Sequence, residues 1–359
     1  MNNKHIVSLH GSYFVNNYGD ILLINIFYNW IKEKFPTAQV NLPLVNKKKV
    51  LEMPEPTTTG IINLLKSDCL IYCGGGYFGE QPKNKGRWSV RNFFRHAIIG
   101  LFAITFRIPI AIIGVEIGPI SKSWFRRVVL KIVKKSKIVI VRNQESDDFL
   151  RKYGIKKAIV TADAVLTLNQ KLTNTFNEEL TGSYIVLHLP GYKYSKAALD
   201  YFVTSLCDVM QTLDQVSEIR FVEDTPNQYG AHYESLFSII EQKGFKYSVV
   251  PYGGIHDVLN TIKDAKSVFT TKLHVGITAA AYNKKVFSIY AHPKTFRFHS
   301  QIGNQVNCLS LFQLNKDFNI APRIKVFFES PYPVLPESVL SSAIKNRTEL
   351  EHFIQSCLK

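Results

Sequence analysis

Short apolar runs alternate with longer amphipathic runs along almost the whole chain. The apolar runs are rich in Val and Ile, as buried parallel strands are, and the longer runs have helical spacing. This alternation predicts an α/β fold built from parallel sheets with helical crossovers. In the first half we expect strands at 5–10, 39–42, 69–72, 109–115, 137–142 and 158–161, and helices at 20–34, 59–66, 90–106, 123–135 and 145–153.

A polar stretch at 169–182 has few large apolar residues and is typical of a domain linker. The pattern then restarts, which predicts two doubly wound domains facing across a cleft. We expect a first Rossmann-like domain at 1–168, a second at 183–315 and a helical tail at 316–359 that packs back. In the second half strands are expected at 184–189, 218–222, 247–250, 267–270 and 286–289, and helices at 196–213, 232–243, 254–263, 273–283 and 337–358.

The chain of 359 residues has a formal net charge of +16, which favours a polyanionic partner. Nucleic acid is not expected, because no zinc-finger spacing, aromatic RNA-reading strand or basic-region heptad is present. The densest basic cluster lies at 124–137 and includes Lys131, Lys134 and Lys135. It is either a surface helix with a solvated face or an interfacial helix on anionic lipid.

Several features bear on the cellular compartment. The five cysteines are scattered and odd in number, which suggests reduced thiols. The N-terminus runs directly into a strand, so no signal peptide is expected. The most apolar stretch, 97–114, is interrupted by Arg107 and Pro109 and does not resemble a membrane span. We expect a cytoplasmic protein, with peripheral binding at the inner face of the plasma membrane as a further hypothesis.

Candidate site residues follow the predicted strands, since ligands bind beyond the carboxyl ends of parallel strands. After the first strand, Asp20 either caps the next helix or contacts a sugar hydroxyl, and Asn17 is expected to contact substrate beside it. The third strand ends in Gly74, Gly75 and Gly76, with Glu80 just beyond. Successive glycines permit positive φ and let a ligand approach the backbone amides, or they form a simple turn.

Two charged residues follow the next two strands. Glu116 is a carboxylate among apolar residues, and it either binds a ligand or borders solvent. Arg142 comes directly after an apolar strand, and its rigid fork suits a carboxylate or a phosphate. The alternative is an ion pair with Asp147 or Asp163.

The densest constellation is in the second half. Lys272 and His274 stand at the start of a predicted Ala-rich helix, and Tyr290 and Lys294 follow the next strand. Unpaired N–H groups and a positive partial charge at a helix start favour an anion. Histidine there can donate a proton near neutral pH. Packing does not explain this combination well.

These residues, in this order, resemble the polysaccharide pyruvyl transferase family, from the turn at 17–20 to about Gly303. The resemblance implies a GT-B-like fold of two Rossmann-like domains. It also implies a transferase that moves a pyruvyl group from phosphoenolpyruvate to two sugar hydroxyls. The product is a cyclic ketal on a precursor of a bacterial capsule, exopolysaccharide or cell-wall polymer, and the acceptor is a glycan or a lipid-linked sugar.

By this resemblance, the family's donor-site arginine, histidine and lysine fall on Arg142, His274 and Lys294. The family has arginine before Leu-His where this chain has Lys272, which keeps the charge and loses the bidentate fork. We expect His274 to protonate the methylene of phosphoenolpyruvate, which acts as co-substrate without a further cofactor or metal. The base is one of three carboxylates: Asp20, Glu80 and Glu116.

Two other interpretations remain open. A nucleotide-sugar glycosyltransferase of the same fold needs an acidic residue near the ribose, and Glu223 and Asp224 are candidates. A non-catalytic protein that binds anionic glycans is the other alternative.

Overall fold

The computed structural model describes residues 5–14, 16–45, 54, 57–80, 85–169, 183–191, 195–213, 216–314 and 318–358. The chain is α/β and divides into two compact units. The first contains Met1–Val165 and Leu340–Lys359, and the second contains Leu166–Val339. The final helix therefore belongs to the first unit, and the 316–359 segment is divided between the two. Of the expected linker at 169–182, only Asn169 falls within the described residues.

The first unit contains a seven-stranded parallel sheet in the order β3-β2-β1-β4-β5-β6-β7. The strands are β1 (Ile6–His10), β2 (Gln39–Leu42), β3 (Thr57–Thr59), β4 (Cys69–Cys73), β5 (Ile110–Val115), β6 (Ile138–Val141) and β7 (Ile159–Val160). The helices are α1 (Tyr18–Lys34), α2 (Ile61–Leu65), α3 (Lys85–Asn92), a π-helical segment (Phe93–Ala97), α4 (Ile98–Thr105), α5 (Ser123–Lys135) and α6 (Gln144–Lys152). Every residue of β4 and β5 is buried, as expected for central parallel strands.

The second unit contains a six-stranded parallel sheet in the order β10-β9-β8-β11-β12-β13. The strands are β8 (Tyr184–His188), β9 (Glu218–Val222), β10 (Lys246–Val250), β11 (Ser267–Thr270), β12 (Lys285–Tyr290) and β13 (Cys308–Ser310). The helices are α7 (Lys196–Leu213), α8 (Glu234–Gln242), α9 (Ile255–Lys263), α10 (Leu273–Ala281), α11 (Pro293–Gln301), α12 (Ala321–Glu329) and, returning to the first unit, α13 (Glu337–Cys357).

Both sheets reverse their strand order once, and these switch points locate the candidate sites. In the first sheet the reversal lies between β1 and β4, where His10 is in register with Tyr72. In the second it lies between β8 and β11, where His188 is in register with Thr270. Ligands of doubly wound folds bind beyond the carboxyl ends of the strands at such points. The two-domain Rossmann-like architecture expected from the sequence is thus confirmed.

Some elements differ from the sequence-based expectation. Residues 57–59 form β3, where a helix was expected from residue 59, because three consecutive β-branched threonines favour a strand. Gly60 then turns the chain with a φ of 110° before α2 begins. The predicted helix at 90–106 is three consecutive segments that begin at Lys85. Helix α11, strand β13 and helix α12 were not predicted.

Candidate functional site

In the first unit, two loops after neighbouring central strands are bonded to each other. Gly74 and Gly75, directly after β4, have φ values of 45° and 88°, in the region that favours glycine. The Glu116 N–H, just after β5, donates to the Gly75 carbonyl at 2.9 Å. The Gly118 N–H donates to the Phe78 carbonyl, also at 2.9 Å. The glycine segment is therefore a fixed loop at the switch point of this sheet.

Arg142 is buried between two carboxylates. Its Nη2 donates to Glu116 Oε2 at 2.6 Å, and its Nη1 donates to Asp163 Oδ2 at 3.4 Å. Burial alone would lower the pKa of Arg142, but Glu116, Asp163 and the more remote Asp20 outweigh it, and the pKa is raised. Of the two partners considered from the sequence, Asp163 pairs with Arg142, whereas Asp147 pairs with Arg151.

Asp20 lies in the first turn of α1, beside the glycine loop. Asn17, and not Asp20, is the N-cap of this helix, since its side-chain oxygen accepts from the Asp20 N–H at 3.4 Å. A Cβ atom at position 75 would lie 3.8 Å from Asp20 Oδ1. The structure therefore brings Asp20, Gly75, Glu116 and Arg142 to one edge of the first sheet.

Glu80 joins two loops at the same edge. Its carboxylate accepts from the Ser89 hydroxyl at 2.8 Å, from the Ser121 N–H at 2.8 Å and from the Lys122 N–H at 3.4 Å. Partial burial opposes ionisation, but these donors prevail and lower the pKa of Glu80. Ordinary loop anchoring accounts for these contacts.

A buried histidine pair was not identified from the sequence. His10, the last residue of β1, contacts the Tyr13 hydroxyl at 2.7 Å through Nδ1 and His96 Nδ1 at 2.9 Å through Nε2. The His96 ring stacks on Tyr77 with centroids 4.4 Å apart. Burial lowers the pKa of His10 to about 3, so the ring is neutral at pH 7. The only signal for this pair in the sequence was the position of His10 at a strand end. His96 gave no such signal, because it lies in the π-helical segment.

In the second unit, Asp224 contacts both the candidate residue Lys272 and His188, the last residue of β8. Its Oδ2 lies 3.2 Å from Lys272 Nζ, and its Oδ1 lies 3.3 Å from His188 Nε2. Burial would raise the pKa of Asp224, but His188 and Lys272 overcome that effect and hold it well below its usual range. His188 Nδ1 in turn lies 3.3 Å from the Thr270 hydroxyl. Sequence analysis did not associate His188 with this site.

Two helix starts near these residues carry cations and no acidic side chain. Lys272 is the N-cap of α10, and His274 lies in its first turn. Lys294 lies in the first turn of α11, which begins with Pro293 and is capped by His292. The two helices pack against each other and follow the adjacent strands β11 and β12. A positive side chain at the positive end of a helix is unfavourable unless an anion offsets it, as Asp224 does for Lys272.

The two remaining candidate residues of the second unit are Tyr290 and Glu223. Tyr290 ends β12, with its ring centroid 5.7 Å from that of Phe296. Glu223 is buried and accepts from three backbone N–H groups, those of Gln228, Tyr229 and Tyr252, at 2.7–3.2 Å. Through these bonds, the Glu223 carboxylate holds its own loop in place. Among the described residues, no group of three or more His, Cys, Asp or Glu side chains is arranged to hold a metal ion.

The fold is shared with solved structures of low sequence identity. The UDP-GlcNAc 2-epimerase of Methanocaldococcus jannaschii is 14% identical, with a TM-score of 0.64 over 97% of this chain and 99% of that one. The UDP-GlcNAc 2-epimerase of Neisseria meningitidis, solved with UDP-GlcNAc, is 12% identical, with a TM-score of 0.57 over 99% of both chains. Both likenesses concern the fold. No curated protein sequence matched the chain.

A family model gives the more specific finding. The model of the polysaccharide pyruvyl transferases matches residues 17–293, which begins at the Asn17 cap and ends one residue before Lys294. The match covers the glycine loop, Arg142, Asp224 and the 272–274 tripeptide, all of which lie just beyond the carboxyl ends of strands. The chain belongs to the polysaccharide pyruvyl transferase family.

Proposed function

We propose that this protein transfers the pyruvyl group of phosphoenolpyruvate to two hydroxyls of a sugar and forms a cyclic ketal. The observation that carries the proposal is the cationic pair of helix starts, with Lys272 and His274 on α10 and Lys294 on α11. Phosphoenolpyruvate has a carboxylate and a phosphate, and two adjacent helix starts with lysines suit two anionic groups.

Arg142 contributes to donor binding in this proposal. An arginine has five N–H donors, and Glu116 and Asp163 each accept from one nitrogen. The two carboxylates also fix the plane of the guanidinium group, so it needs little reordering to receive a donor oxygen. The Lys272 ammonium is held in the same way by Asp224.

The reaction starts when His274 gives a proton to the methylene carbon of phosphoenolpyruvate, which becomes a methyl group. Carbon 2 is then electrophilic, and a sugar oxygen bonds to it as its proton passes to a carboxylate. The second sugar hydroxyl returns a proton to His274 as its oxygen bonds to carbon 2 and displaces the phosphate. The carbon–oxygen bond to phosphate breaks with both electrons on the departing oxygen. Inorganic phosphate leaves, and the cations stabilise its charge.

Asp20 is the carboxylate we propose as the base. Asp20 lies half-buried beside the glycine loop, where an approaching sugar would meet the backbone of Gly74, Gly75 and Gly76. Asn17, the N-cap of α1 in the first unit, and Tyr290, the last residue of β12 in the second, are further proposed substrate contacts. The acceptor is a precursor of a surface polysaccharide, either a free glycan or a lipid-linked sugar.

A nucleotide-sugar transferase is the alternative, since the similar structures include complexes with UDP-GlcNAc and, for HepE of Anabaena, with UDP and glucose. The bonds from Glu223 to its own loop favour the pyruvyl donor, because a ribose would have to compete with three backbone donors. Thermal-shift measurements with phosphoenolpyruvate, UDP-sugars and GDP-sugars separate the two. Stabilisation by a nucleotide sugar and not by phosphoenolpyruvate would exclude the proposal.

Replacement of His274 by Ala tests the proposed acid. We expect phosphate release from phosphoenolpyruvate and model glycosides to fall by about 10²–10⁴-fold, the usual contribution of a positioned acid. Phosphoenolpyruvate should still stabilise the variant in thermal shift, because the lysines remain. His256→Ala, an exposed histidine of α9, is the matched control and should keep full turnover. Turnover of His274→Ala equal to that of the unaltered protein would remove His274 from the mechanism.

A further inference from the structure

The first unit exposes large apolar side chains in one region. Twelve such side chains are exposed in the described part of the chain, and six of them belong to the first unit. All six lie on or directly after α2, α3, the π-helical segment, α4 and α5. They are Ile62, Leu65, Val90, Phe94, Phe106 and Trp124.

These side chains lie on neighbouring helices. Helix α4 packs against both α2 and α5, and the Phe93 ring lies 5.7 Å from that of Trp124. Phe94 is 61% exposed, and Val90 lies one helical turn before it. Half-buried Ile98 and Leu101 continue the same helical spacing. Clustered exposed apolar groups of this kind mark interaction sites.

The same helices hold a concentration of positive charge. Residues 85–135 contain eleven Lys and Arg residues and one acidic residue, Glu116, which is buried against Arg142. Arg87, Arg91, Arg127, Lys131 and Lys134 are exposed. The guanidinium of Arg91 covers the Trp88 ring at 4.0 Å. We name the exposed residues Val90, Phe94, Trp124, Arg127, Lys131 and Lys134 the basic–aromatic surface.

We propose that the basic–aromatic surface docks on an anionic lipid bilayer. Apolar and aromatic groups enter the boundary between headgroups and acyl chains, while surrounding Lys and Arg bind anionic headgroups. Such a protein lies on the membrane, in agreement with the finding that no helix in the described ranges is long and apolar enough to cross one.

Charge and polarity favour lipid over other partners. A second copy of the chain would bring two surfaces of the same sign together, which is repulsive. Nucleic acid would satisfy the cations but would leave Phe94 and Val90 without an apolar partner. The proposal is independent of the pyruvyl chemistry, because it rests on α2–α5 and on none of the residues assigned to the donor.

Vesicle co-sedimentation of the full chain tests the proposal. We expect binding to vesicles of phosphatidylcholine with 30% phosphatidylglycerol, little binding to phosphatidylcholine alone, and release as salt screens the charges. The charge variant Arg127→Gln/Lys131→Gln/Lys134→Gln should bind on the order of 100-fold more weakly, from about 1 kcal/mol for each basic residue near the surface. Its matched control, with the same loss of charge at exposed positions elsewhere, is Lys246→Gln/Lys263→Gln/Lys345→Gln.

A second pair of variants tests the apolar part. Val90→Ser/Phe94→Ser should bind about 10-fold more weakly through lost apolar burial. Phe312→Ser/Val326→Ser, whose side chains in the second unit are even more exposed, should bind as before. Unchanged thermal unfolding and unchanged phosphate release verify that each variant is folded. Three outcomes would each overturn the proposal. Variant and control could lose binding equally, or binding could be independent of phosphatidylglycerol. The chain could also form a dimer that dissociates on Phe94→Ser and show no binding to vesicles.

Discussion

The two charged clusters beyond the strand ends differ in what surrounds the cation. Arg142 is buried with two carboxylates, so the local charge is negative before any substrate binds. Lys272 is partly exposed and shares one buried carboxylate with His188. The local charge therefore favours an anion more at the second cluster than at the first. The ion pair of Arg142 with Asp163 is the structural alternative that the sequence left open.

The ion pairs of Arg142 predict a large loss of stability when its charge is removed. Arg142→Met removes the cation that the buried carboxylates of Glu116 and Asp163 share, and we expect the free energy of unfolding in urea to fall by about 3–5 kcal/mol. Adding Glu116→Gln should restore part of the loss, because it removes one of the two buried negative charges that have lost this cation. Arg151→Met, which breaks an exposed ion pair, is the control and should change stability little. If the double variant is no more stable than Arg142→Met, the lost stability does not come from the broken ion pair between Arg142 and Glu116.

Asp224 predicts a stability difference that depends on pH. Because its pKa is lower in the folded than in the unfolded chain, the carboxylate contributes stability above its unfolded pKa, and that contribution is lost as the pH falls. Asp224→Asn should lower the free energy of unfolding by about 2–4 kcal/mol at pH 7. The difference from the unaltered protein should narrow below about pH 4. Asp264→Asn, at an exposed position, serves as the control, and a difference constant from pH 7 to pH 3 would contradict the assignment.

At the scale of elements, apolar runs with clear ends were predicted best. Strands β9 and β11 and helices α5 and α7 begin and end where the pattern places them, because each combines strong periodicity with polar flanks. Helix α11 was not predicted, because its polar sequence has little apolar periodicity and it begins with proline after the cap residue His292. Its absence from the prediction left Lys294 on a loop, whereas it lies in the first turn of a helix.

The sequence predicts which residues lie at strand ends better than it predicts which side chains contact each other there. Strand ends meet at one edge of a parallel sheet, so a residue there is a candidate from its sequence position alone. Which side chains touch depends on strand register and loop geometry. Arg142 reaches Glu116 and Asp163 across 26 and 21 residues, and His10 reaches His96 across 86. No local pattern encodes such pairs.

At the scale of the whole molecule, the chain returns to its first unit after completing the second. Helix α13 joins the end of the first sheet through hydrogen bonds between residues that are 180 to 185 positions apart in the chain. The Asn346 amide accepts from the Thr161 hydroxyl at 3.1 Å and donates to the Ala162 carbonyl at 3.0 Å. The Ser342 hydroxyl accepts from the Ala162 N–H at 3.1 Å. The stability of the first unit therefore depends on residues that follow the whole second unit along the chain.

Replacing Asn346 by Leu isolates this connection. The buried Thr161 hydroxyl and Ala162 carbonyl would lose their partner, which costs about 2–4 kcal/mol. We expect faster amide hydrogen exchange at 158–163 and 340–357, with no change in β8, β11 and β12, because exchange reports local opening within a cooperative unit. Lys345→Leu, on the exposed face of the same helix, is the matched control and should leave exchange unaltered. Equal acceleration in the second unit would mean that the two units open together, and unchanged exchange at 158–163 would mean that Asn346 does not hold α13 in place.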